Sequence, residues 1–293
     1  MKRSHYSLVF QATFYVVLLL FCLSLLTCCS SGDQDTAVRQ ETRLVVLNYH
    51  KVGNYDDYYS VSPEQFTQQV EYMLNQGYTV ISLADYRSWR QGNIELPSKV
   101  FMLTFDDGSL SDYETVYPFI KKHGLKGIFF LRTKAINTAG YLNADQIREM
   151  STSGLCEFGS HSVTHRNVLA MAGDVLDEEL TGSRNTIQSI TGQDVYAFAY
   201  PNGMWDEAAK EALVKNDYQF AFTVMPGMND ATTNSFELRR ITANRGSSQK
   251  IFTAWVDRDA KLYKNYYSGM LKKARKDGLT SVAKLCEEEL LKL

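Results

Sequence analysis

The sequence predicts an α/β fold, a distorted (β/α)7-type barrel of parallel strands followed by a C-terminal helical extension. Short apolar runs alternate with amphipathic stretches from residue 44 to residue 241, which is the pattern of repeated strand–helix units and a parallel sheet. About seven such units in roughly 200 residues is close to the repeat length of an α/β barrel. We therefore favour a closed barrel over an open sheet.

The first units are predicted from local signals. The apolar run LVVLNYH predicts a buried strand over 44–50. Ser62, Pro63 and Gln65 are typical of a helix N-cap, a first-turn proline and a capping box, and the helix is expected to end near Gln76. The same reasoning predicts strands at 78–82, 100–105 and 127–132, and helices at 83–90, 113–122 and 144–150.

The second half of the barrel continues the alternation. Strands are predicted at 156–160, 195–200, 220–225 and 236–241, and helices at 175–190 and 206–215, the first of which Gly192 ends. We assign the barrel to 43–246. Residues 247–293 are interpreted as one or two helices that pack on the barrel and carry no chemistry, because amphipathic spacing mostly indicates a core contact.

The N-terminus is predicted to export the chain. Residues 1–29 have a basic start, an apolar middle and small residues at the exit, which is typical of a secretory signal. Cys29 follows Leu26, Thr27 and Cys28 and resembles the lipid-attachment cysteine of a bacterial lipobox, although a small residue is usual in place of Cys28. An uncleaved membrane anchor is the alternative, because the apolar run approaches the roughly 20 residues that span a bilayer.

Either arrangement leaves the rest of the chain outside the cytoplasm. We expect a membrane-tethered protein of the bacterial cell envelope, on the periplasmic or surface side. Residues 30–42 are polar and without periodicity, and are interpreted as a flexible tether.

Composition excludes some classes of function. The formal net charge of the 293 residues is −2, so no basic surface predicts a nucleic-acid partner. Outside the leader only Cys156 and Cys286 remain, in no CxxC arrangement, which excludes a cysteine-based zinc site. Two buried thiols are favoured for this pair, and a disulfide between them stays open.

Polar side chains stand where several predicted strands end. His50 ends the first strand, Asp106 and Asp107 in TFDDG end another, and His161 and His165 in GSHSVTH follow a third. In a parallel barrel the carboxyl ends of the strands open onto one face, which carries the active site. We therefore expect these five residues to converge.

Their chemistry suits a metal site. His161 and His165 face the same side if the segment turns helically, and two imidazoles plus one carboxylate leave positions open for water, as in catalytic zinc sites. Of Asp106 and Asp107, one can bind the metal and the other can take a proton from water. Taken singly, each motif has an ordinary alternative as unrelated loop histidines or a surface turn.

At these residues the chain resembles the NodB-type polysaccharide deacetylases, carbohydrate esterase family four, over about residues 44–246. TFDDG is similar to the family's first motif, and HSVTH is similar to its paired-histidine motif. The resemblance implies that Asp106 is the catalytic base and that Asp107, His161 and His165 are the metal ligands.

The chain departs from the family pattern at three places, the third of which is His50, which lies before the first motif. Ala199 stands where the family has an arginine that pairs with the catalytic aspartate, and Ile241 stands where it often has a histidine acid. With His50 in LNYHKV, these features resemble the subgroup with rearranged motifs that includes poly-N-acetylglucosamine deacetylases, which implies His50 as the acid. Arg239 or Arg240 is a candidate for the missing charge.

The resemblance implies metal-dependent hydrolysis of N-acetyl groups on a polysaccharide or oligosaccharide that contains N-acetylglucosamine. Zinc is the expected metal, and cobalt, nickel or manganese also suit the ligands. The backbone N–H of Asn202, in a stretch with Tyr200 and Pro201, is implied as an oxyanion donor. Tyr49, Tyr200 and Trp205 flank the predicted mouth and either stack on sugar rings or pack the rim.

Two other functions stay open at this point. The same site residues would serve an O-acetyl ester hydrolase that acts on a glycan such as acetylxylan. The departures from the family pattern would also fit a catalytically impaired glycan-binding protein that keeps the metal site.

Overall fold

The computed structural model describes residues 42–171 and 173–293. The predicted signal at 1–29, with the lipid-attachment site at Cys29, and nearly all of the predicted tether lie outside the described residues. Within the part of the chain that is described, no helix is long and apolar enough to cross a bilayer.

The strands are β1 (Arg43–Tyr49), β2 (Lys51–Val52), β3 (Ser60–Val61), β4 (Thr79–Val80), β5 (Lys99–Asp107), β6 (Gly127–Leu131), β7 (Cys156–Ser160), β8 (Ala197–Ala199), β9 (Phe220–Phe222), β10 (Met228–Asn229) and β11 (Ile241–Thr242). The α-helices are α1 (Pro63–Asn75), α2 (Leu83–Arg90), α3 (Tyr117–His123), α4 (Ala144–Thr152), α5 (Asp174–Thr191), α6 (Glu207–Lys215), α7 (Gln249–Val256), α8 (Ala260–Lys276) and α9 (Thr280–Leu291). A π-helical turn at Asp112–Val116 precedes α3.

The main sheet closes into a distorted barrel. Its strand order is β10-β1-β5-β6-β7-β8-β9, and every neighbouring pair is parallel except β1 with β10. Residues 238–242 complete the ring, because Leu238 pairs with Phe222 of β9 and Ile241 pairs with Leu47 of β1. The predicted distorted (β/α)7-type barrel with C-terminal helices is confirmed.

Strand β5 shows how the barrel directs its side chains. Every second residue from Val100 to Asp106 points into the barrel, and the residues between them pack against the surrounding helices. Asp107 has a φ of 77° and Gly108 a φ of 70°, so the strand alternation ends at Asp107. Asp106 and Asp107 therefore reach the same opening although they are neighbours in sequence.

The interior of the barrel is apolar at its amino end. Tyr86 and Trp89 of α2 pack there against the starts of the strands, and the Glu157 carboxylate accepts hydrogen bonds from the N–H groups of Leu83 and Ala84, at 2.6 and 2.9 Å. A carboxylate at a helix N-terminus satisfies donors that lack a partner within the helix. Glu157 therefore caps α2 at this end of the barrel.

Most predicted elements are found within a few residues of their expected bounds. Ser62 and Gln65 form the predicted capping box of α1, and Gly192 ends α5 in the left-handed conformation. Cys156 and Cys286 are free and buried, so the alternative of a disulfide between them is wrong.

Two predicted features differ from the structure. The strand expected at 236–241 is reduced to one bridge and the short β11, because the backbone N–H and C=O of Arg239 bond the Asn229 side chain instead of a strand. The C-terminal segment forms three helices, α7, α8 and α9, where one or two were expected.

Candidate active site

A cavity of about 640 Å³ opens at the carboxyl ends of the barrel strands. The five residues expected to converge all line it: His50, Asp106, Asp107, His161 and His165. They come from the ends of β1 and β5 and from the segment after β7. Their shared position follows from the parallel topology, which brings all these strand ends to one face.

Asp106 and Arg240 form a buried ion pair at the bottom of this cavity. Two guanidinium nitrogens of Arg240 donate to the two carboxylate oxygens, at 2.8 and 2.7 Å, and neither side chain is more than 2% exposed. Burial would raise the pKa of Asp106, but the charge of Arg240 and the hydrogen bonds from its guanidinium outweigh burial and hold this pKa well below its usual range. Asp106 is therefore an oriented carboxylate that stays ionised.

The two arginines proposed as replacements for the missing family arginine have different partners. Arg240 reaches Asp106, whereas Arg239 forms an ion pair with Glu289 of α9 at 2.9 Å. Ala199 contributes its carbonyl oxygen, which lies 2.7 Å from Nδ1 of His161. Arg240 thus supplies the guanidinium that the sequence lacks at position 199.

Asp107, His161 and His165 form a compact set of potential metal ligands. One ligand atom from each lies within 4.8 Å of the others, and Oδ1 of Asp107 is 3.5 Å from Nε2 of His165 and 3.9 Å from Nε2 of His161. Because Nδ1 of His161 donates to the Ala199 carbonyl, Nε2 is left with the lone pair that a metal needs.

The residues present fit a divalent cation. Oδ1 of Asp107 is buried and has no hydrogen-bond partner within residues 42–171 and 173–293, so the oxygen that faces the two imidazoles is available as a ligand. Two imidazoles and one carboxylate suit zinc and related first-row metals.

The segment that carries the two histidines is a loop and not a helical turn. Ser162 and His165 have φ values of 62°, and the Ser162 hydroxyl accepts a hydrogen bond from the backbone N–H of His165 at 2.9 Å. Glu179 of α5 accepts the N–H groups of Val163 and Thr164 at 2.9 and 2.8 Å. These bonds bring the imidazole rings together, with centroids 4.7 Å apart.

His50 lies on another side of the cavity, half-buried against Tyr59 with ring centroids 4.8 Å apart. Its Nδ1 is buried and forms no hydrogen bond within the described chain. Burial lowers the pKa of His50, and the opposing effect of Asp106 and Asp107 is smaller. The imidazole is therefore mainly neutral at physiological pH.

Sequence reasoning missed Asp112, a fully buried carboxyl group behind the site. Neither of its oxygens has a hydrogen-bond partner among the described residues. Burial raises the pKa of Asp112 well above its usual value, and the nearby charges of Asp107 and Asp106 add to this shift. A protonated Asp112 adds no third negative charge here. No local signal distinguishes it from a polar residue on a helix surface.

Two aromatic residues expected at the mouth are buried elsewhere. Trp205 is inaccessible to solvent, stacks on Tyr200 with centroids 6.0 Å apart, and donates its indole N–H to Glu237 at 3.3 Å. Tyr49 is equally buried and donates its hydroxyl to Gln69 at 3.0 Å. Both rings complete the core between sheet and helices, so for Tyr49 and Trp205 the packing alternative holds and stacking on a sugar ring does not.

The YPNG stretch reaches the cavity only in part. Asn202 is exposed, has a φ of 62° and lines the cavity. Tyr200 lines it too, but its ring is buried and its hydroxyl donates to the Phe236 carbonyl at 3.1 Å, so it offers no face for a sugar. Pro201 is buried and does not line the cavity, because it forms the turn that presents Asn202.

The C-terminal helices contribute to the same cavity. Ile251 and Trp255 of α7 and Leu262 and Tyr266 of α8 form one of its sides. The expectation that residues 247–293 only pack on the barrel therefore needs correction. Their contribution has no motif, because isolated apolar residues on an amphipathic helix look like core positions.

Comparisons with known proteins agree with this geometry. Residues 93–221 match the sequence model of a family described as Polysaccharide deacetylase. The chain is 22% identical over 246 residues to a poly-beta-1,6-N-acetyl-D-glucosamine N-deacetylase of Staphylococcus epidermidis. The alignment covers 74% of this chain and 84% of that protein.

Two solved structures have the same fold. IcaB from Ammonifex degensii superposes with a TM-score of 0.65 at 27% identity, over 73% of this chain and 97% of that one. The Streptococcus pyogenes deacetylase PplD in complex with acetate gives a TM-score of 0.67 at 24% identity, over 72% and 97%. In sequence pattern and in fold the chain therefore resembles the NodB-type polysaccharide deacetylases, including the subgroup that contains poly-N-acetylglucosamine deacetylases, and it is a deacetylase hydrolase.

Proposed function

We propose that this protein removes acetyl groups from the nitrogen of N-acetylglucosamine units in a polysaccharide, at a site that requires a divalent cation. The observation that carries the proposal is one cavity lined by an ionised, arginine-bound carboxylate, a carboxylate with a buried oxygen that has no partner among the described residues, and two neighbouring imidazoles. The activity for which the S. epidermidis relative is named suggests the substrate class.

Each of these residues has a separate task. A divalent cation held by Asp107, His161 and His165 would polarise the acetyl carbonyl and acidify a water molecule, with zinc expected and cobalt, nickel or manganese also suited. Asp106 accepts the proton of the attacking water, because it is anionic and each oxygen keeps a lone pair beside its bond to Arg240.

The leaving nitrogen must gain a proton before the amide bond breaks. His50 lines the cavity and is mainly neutral, so it can receive a proton and pass it to that nitrogen. The same lowered pKa makes its imidazolium a stronger acid than an ordinary histidine. The backbone N–H of Asn202 is the proposed donor to the developing oxyanion.

His50 also distinguishes the amide substrate from an O-acetyl ester. An ester leaves as an alkoxide and needs less help from an acid, whereas an amide depends strongly on protonation. We expect His50→Ala to slow release of acetate from N-acetylglucosamine oligomers about 10²- to 10⁴-fold and to affect an acetyl ester much less. Equal effects on both substrates would favour the ester function.

The proposal is tested by acetate release from poly-N-acetylglucosamine, chitin oligomers, peptidoglycan and acetylxylan, each with and without a chelator. We expect release from the N-acetylglucosamine polymer, its loss on chelation and its recovery when zinc is added. A protein that contains one equivalent of metal and releases no acetate from any of these glycans would be a binding protein, contrary to the proposal.

We further propose that the reaction takes place at the outer side of a bacterial membrane, as the composition of residues 1–29 suggests. Lipid labelling of the expressed protein and its Cys29→Ala variant tests this. Label that depends on Cys29 supports lipid attachment, whereas an unlabelled protein of full length in the membrane fraction supports an uncleaved anchor.

A further inference from the structure

The C-terminal helices supply a surface whose chemistry differs from that of the strand ends. We call the side chains of Ile251, Trp255, Leu262 and Tyr266 the C-terminal wall. All four line the cavity that holds the site, and none is charged. Ile251 is 44% exposed and the other three are half-buried.

The wall is fixed to the barrel through bonds at its back. The Tyr267 hydroxyl of α8 donates to the carbonyl of Pro226, which itself lines the cavity. Glu289 of α9 holds Arg239 at 2.9 Å, next to the site residue Arg240. A surface held in this way loses little conformational entropy when a ligand binds.

Trp255 is the largest member of the wall and is supported by two tyrosine rings. Its ring centroid lies 5.1 Å from that of Tyr263 and 5.7 Å from that of Tyr266, and the Tyr263 hydroxyl donates to its carbonyl at 2.9 Å. The indole N–H forms no hydrogen bond with any part of the chain that the structure describes. Trp255 therefore offers both an apolar face and a donor.

Neutral polar groups also line this cavity. Tyr58 and Tyr59 line it and are 63% and 50% exposed. Asn244, also in the lining, donates to the Tyr58 hydroxyl at 3.2 Å. Aromatic faces together with hydroxyl and amide groups match a pyranose, which has apolar C–H faces and a rim of hydroxyl groups.

We propose that the C-terminal wall, together with Tyr58 and Tyr59, forms a subsite for the sugar ring next to the one that loses its acetyl group. The inference rests on the proposed function. The cavity supports it, since about 640 Å³ is continuous from the metal ligands to the wall and lies in the range of about 300–1,000 Å³ that encloses ligands much larger than an acetamide. The enzyme is then an oligosaccharide deacetylase that discriminates against single sugars.

Tryptophan fluorescence tests the subsite without turnover. Of the three tryptophans, Trp89 and Trp205 are at most 1% exposed, so Trp255 alone is accessible to a ligand or a quencher. In the Asp106→Asn protein we expect a β-1,6-linked N-acetylglucosamine hexamer to protect the fluorescence from acrylamide in a saturable manner. The Trp255→Phe change in this background is expected to abolish the effect.

Steady-state kinetics test the subsite independently of fluorescence. Trp255→Ala should lower the ratio of kcat/KM for the hexamer to kcat/KM for 4-nitrophenyl acetate about tenfold, the usual effect of removing an aromatic anchor. Trp255→Phe should restore part of that ratio. Tyr55→Ala is the matched control, because Tyr55 is 45% exposed and is not part of the cavity lining; it should leave both rates unchanged.

The outcomes separate the subsite from the proposed reaction. Acetate release from the hexamer with no protection of Trp255 and an unchanged ratio in Trp255→Ala overturns the subsite and leaves the reaction intact. Saturable protection of Trp255 together with a wild-type protein that releases no acetate from the hexamer supports the subsite and overturns the reaction. If Trp255→Ala does not fold, protection in the protein with Trp255 intact still decides the question.

Discussion

Two regions meet in one cavity and are built on different principles. The strand ends, which we call the floor, consist of Asp106, Asp107, His161 and His165, and are charged or titratable. The C-terminal wall consists of four neutral side chains on α7 and α8. Each floor residue is positioned by a polar partner or lies beside a second potential metal ligand. The wall residues are positioned mainly by packing and by a few hydrogen bonds and ion pairs behind them.

The difference between floor and wall assigns the chemical reaction to the floor and the choice of substrate to the wall. Electrostatic groups at the floor act on the reacting atoms, where the low dielectric of a buried site strengthens them. Apolar faces contribute uniform binding to parts of the substrate that do not react. Changes in the floor should therefore reduce turnover itself, and changes in the wall should alter which substrates are turned over.

The largest effect is expected from the two neighbouring aspartates of the floor. Asp107→Asn should remove both the bound metal and the activity, because it replaces a charged ligand. Asp106→Asn should keep the metal and lose turnover, because only the proton acceptor is altered. Metal content by elemental analysis and acetate release together measure these outcomes. The opposite pattern, with metal lost only in Asp106→Asn, would exchange the two assignments.

Arg240 and Arg239 are adjacent but serve the floor and the wall respectively. Arg240→Met should lower kcat about a hundredfold, since Asp106 loses its orientation. It should also lower the free energy of unfolding by roughly 3–5 kcal/mol, the usual cost of an unpaired buried charge. Arg239→Met is the matched control. Glu289 is not left without a partner in this variant, because Lys292 lies 2.7 Å from it. It should retain turnover; equal losses of kcat in both variants would contradict this division.

The stability difference between the wild type and Arg240→Met should depend on pH. In the wild type the depressed pKa of Asp106 gives stability that is complete above the unfolded pKa of about 3.9 and is lost as pH falls through the folded pKa. In the variant the arginine is gone and burial raises the pKa of Asp106. The folded variant therefore takes up a proton as pH falls, and the free energy of unfolding that it loses relative to the wild type becomes smaller. Urea unfolding of the metal-free proteins should give a smaller difference in unfolding free energy between the wild type and Arg240→Met at pH 4.5 than at pH 7.

A smaller effect should follow from the loop that positions the histidines. Glu179→Ala removes the acceptor for two backbone N–H groups of this loop. We expect about tenfold weaker zinc binding, the usual result of losing a group that orients ligands. Competition with a chromophoric chelator measures it. Glu178→Ala, an exposed neighbour on the same helix, should bind zinc normally; unchanged affinity in Glu179→Ala would mean that the loop needs no support.

The floor was predictable because its residues follow strands whose ends must meet. Asp106, Asp107, His161 and His165 lie in short motifs directly after apolar runs, so local pattern and topology sufficed. The choice of Arg240 over Arg239 was not predictable. It depends on which side chain enters the barrel after the irregular pairing with Asn229, a contact between distant segments.

The roles of the wall and of the buried aromatic residues could not be predicted from the sequence, for a related reason. Trp255 and Trp205 are both aromatic residues near helices or turns, and nothing in their local sequence distinguishes them. Only the packing shows that Trp205 completes the core while Trp255 borders the cavity. Amphipathic spacing tells which face of a helix is apolar, but not whether that face meets a core or a ligand.

The smallest effect should come from an anchor of the wall. Tyr267→Phe keeps the ring and removes only the hydroxyl that bonds the Pro226 carbonyl. The free energy of unfolding should fall by about 1 kcal/mol, the typical net value of one hydrogen bond. The hexamer-to-ester ratio should fall less than in Trp255→Ala, since the side chains that face the cavity are intact. A ratio lowered as far as in Trp255→Ala would show that selection depends on the placement of α8, and the wall would then resemble the floor in needing fixed polar contacts.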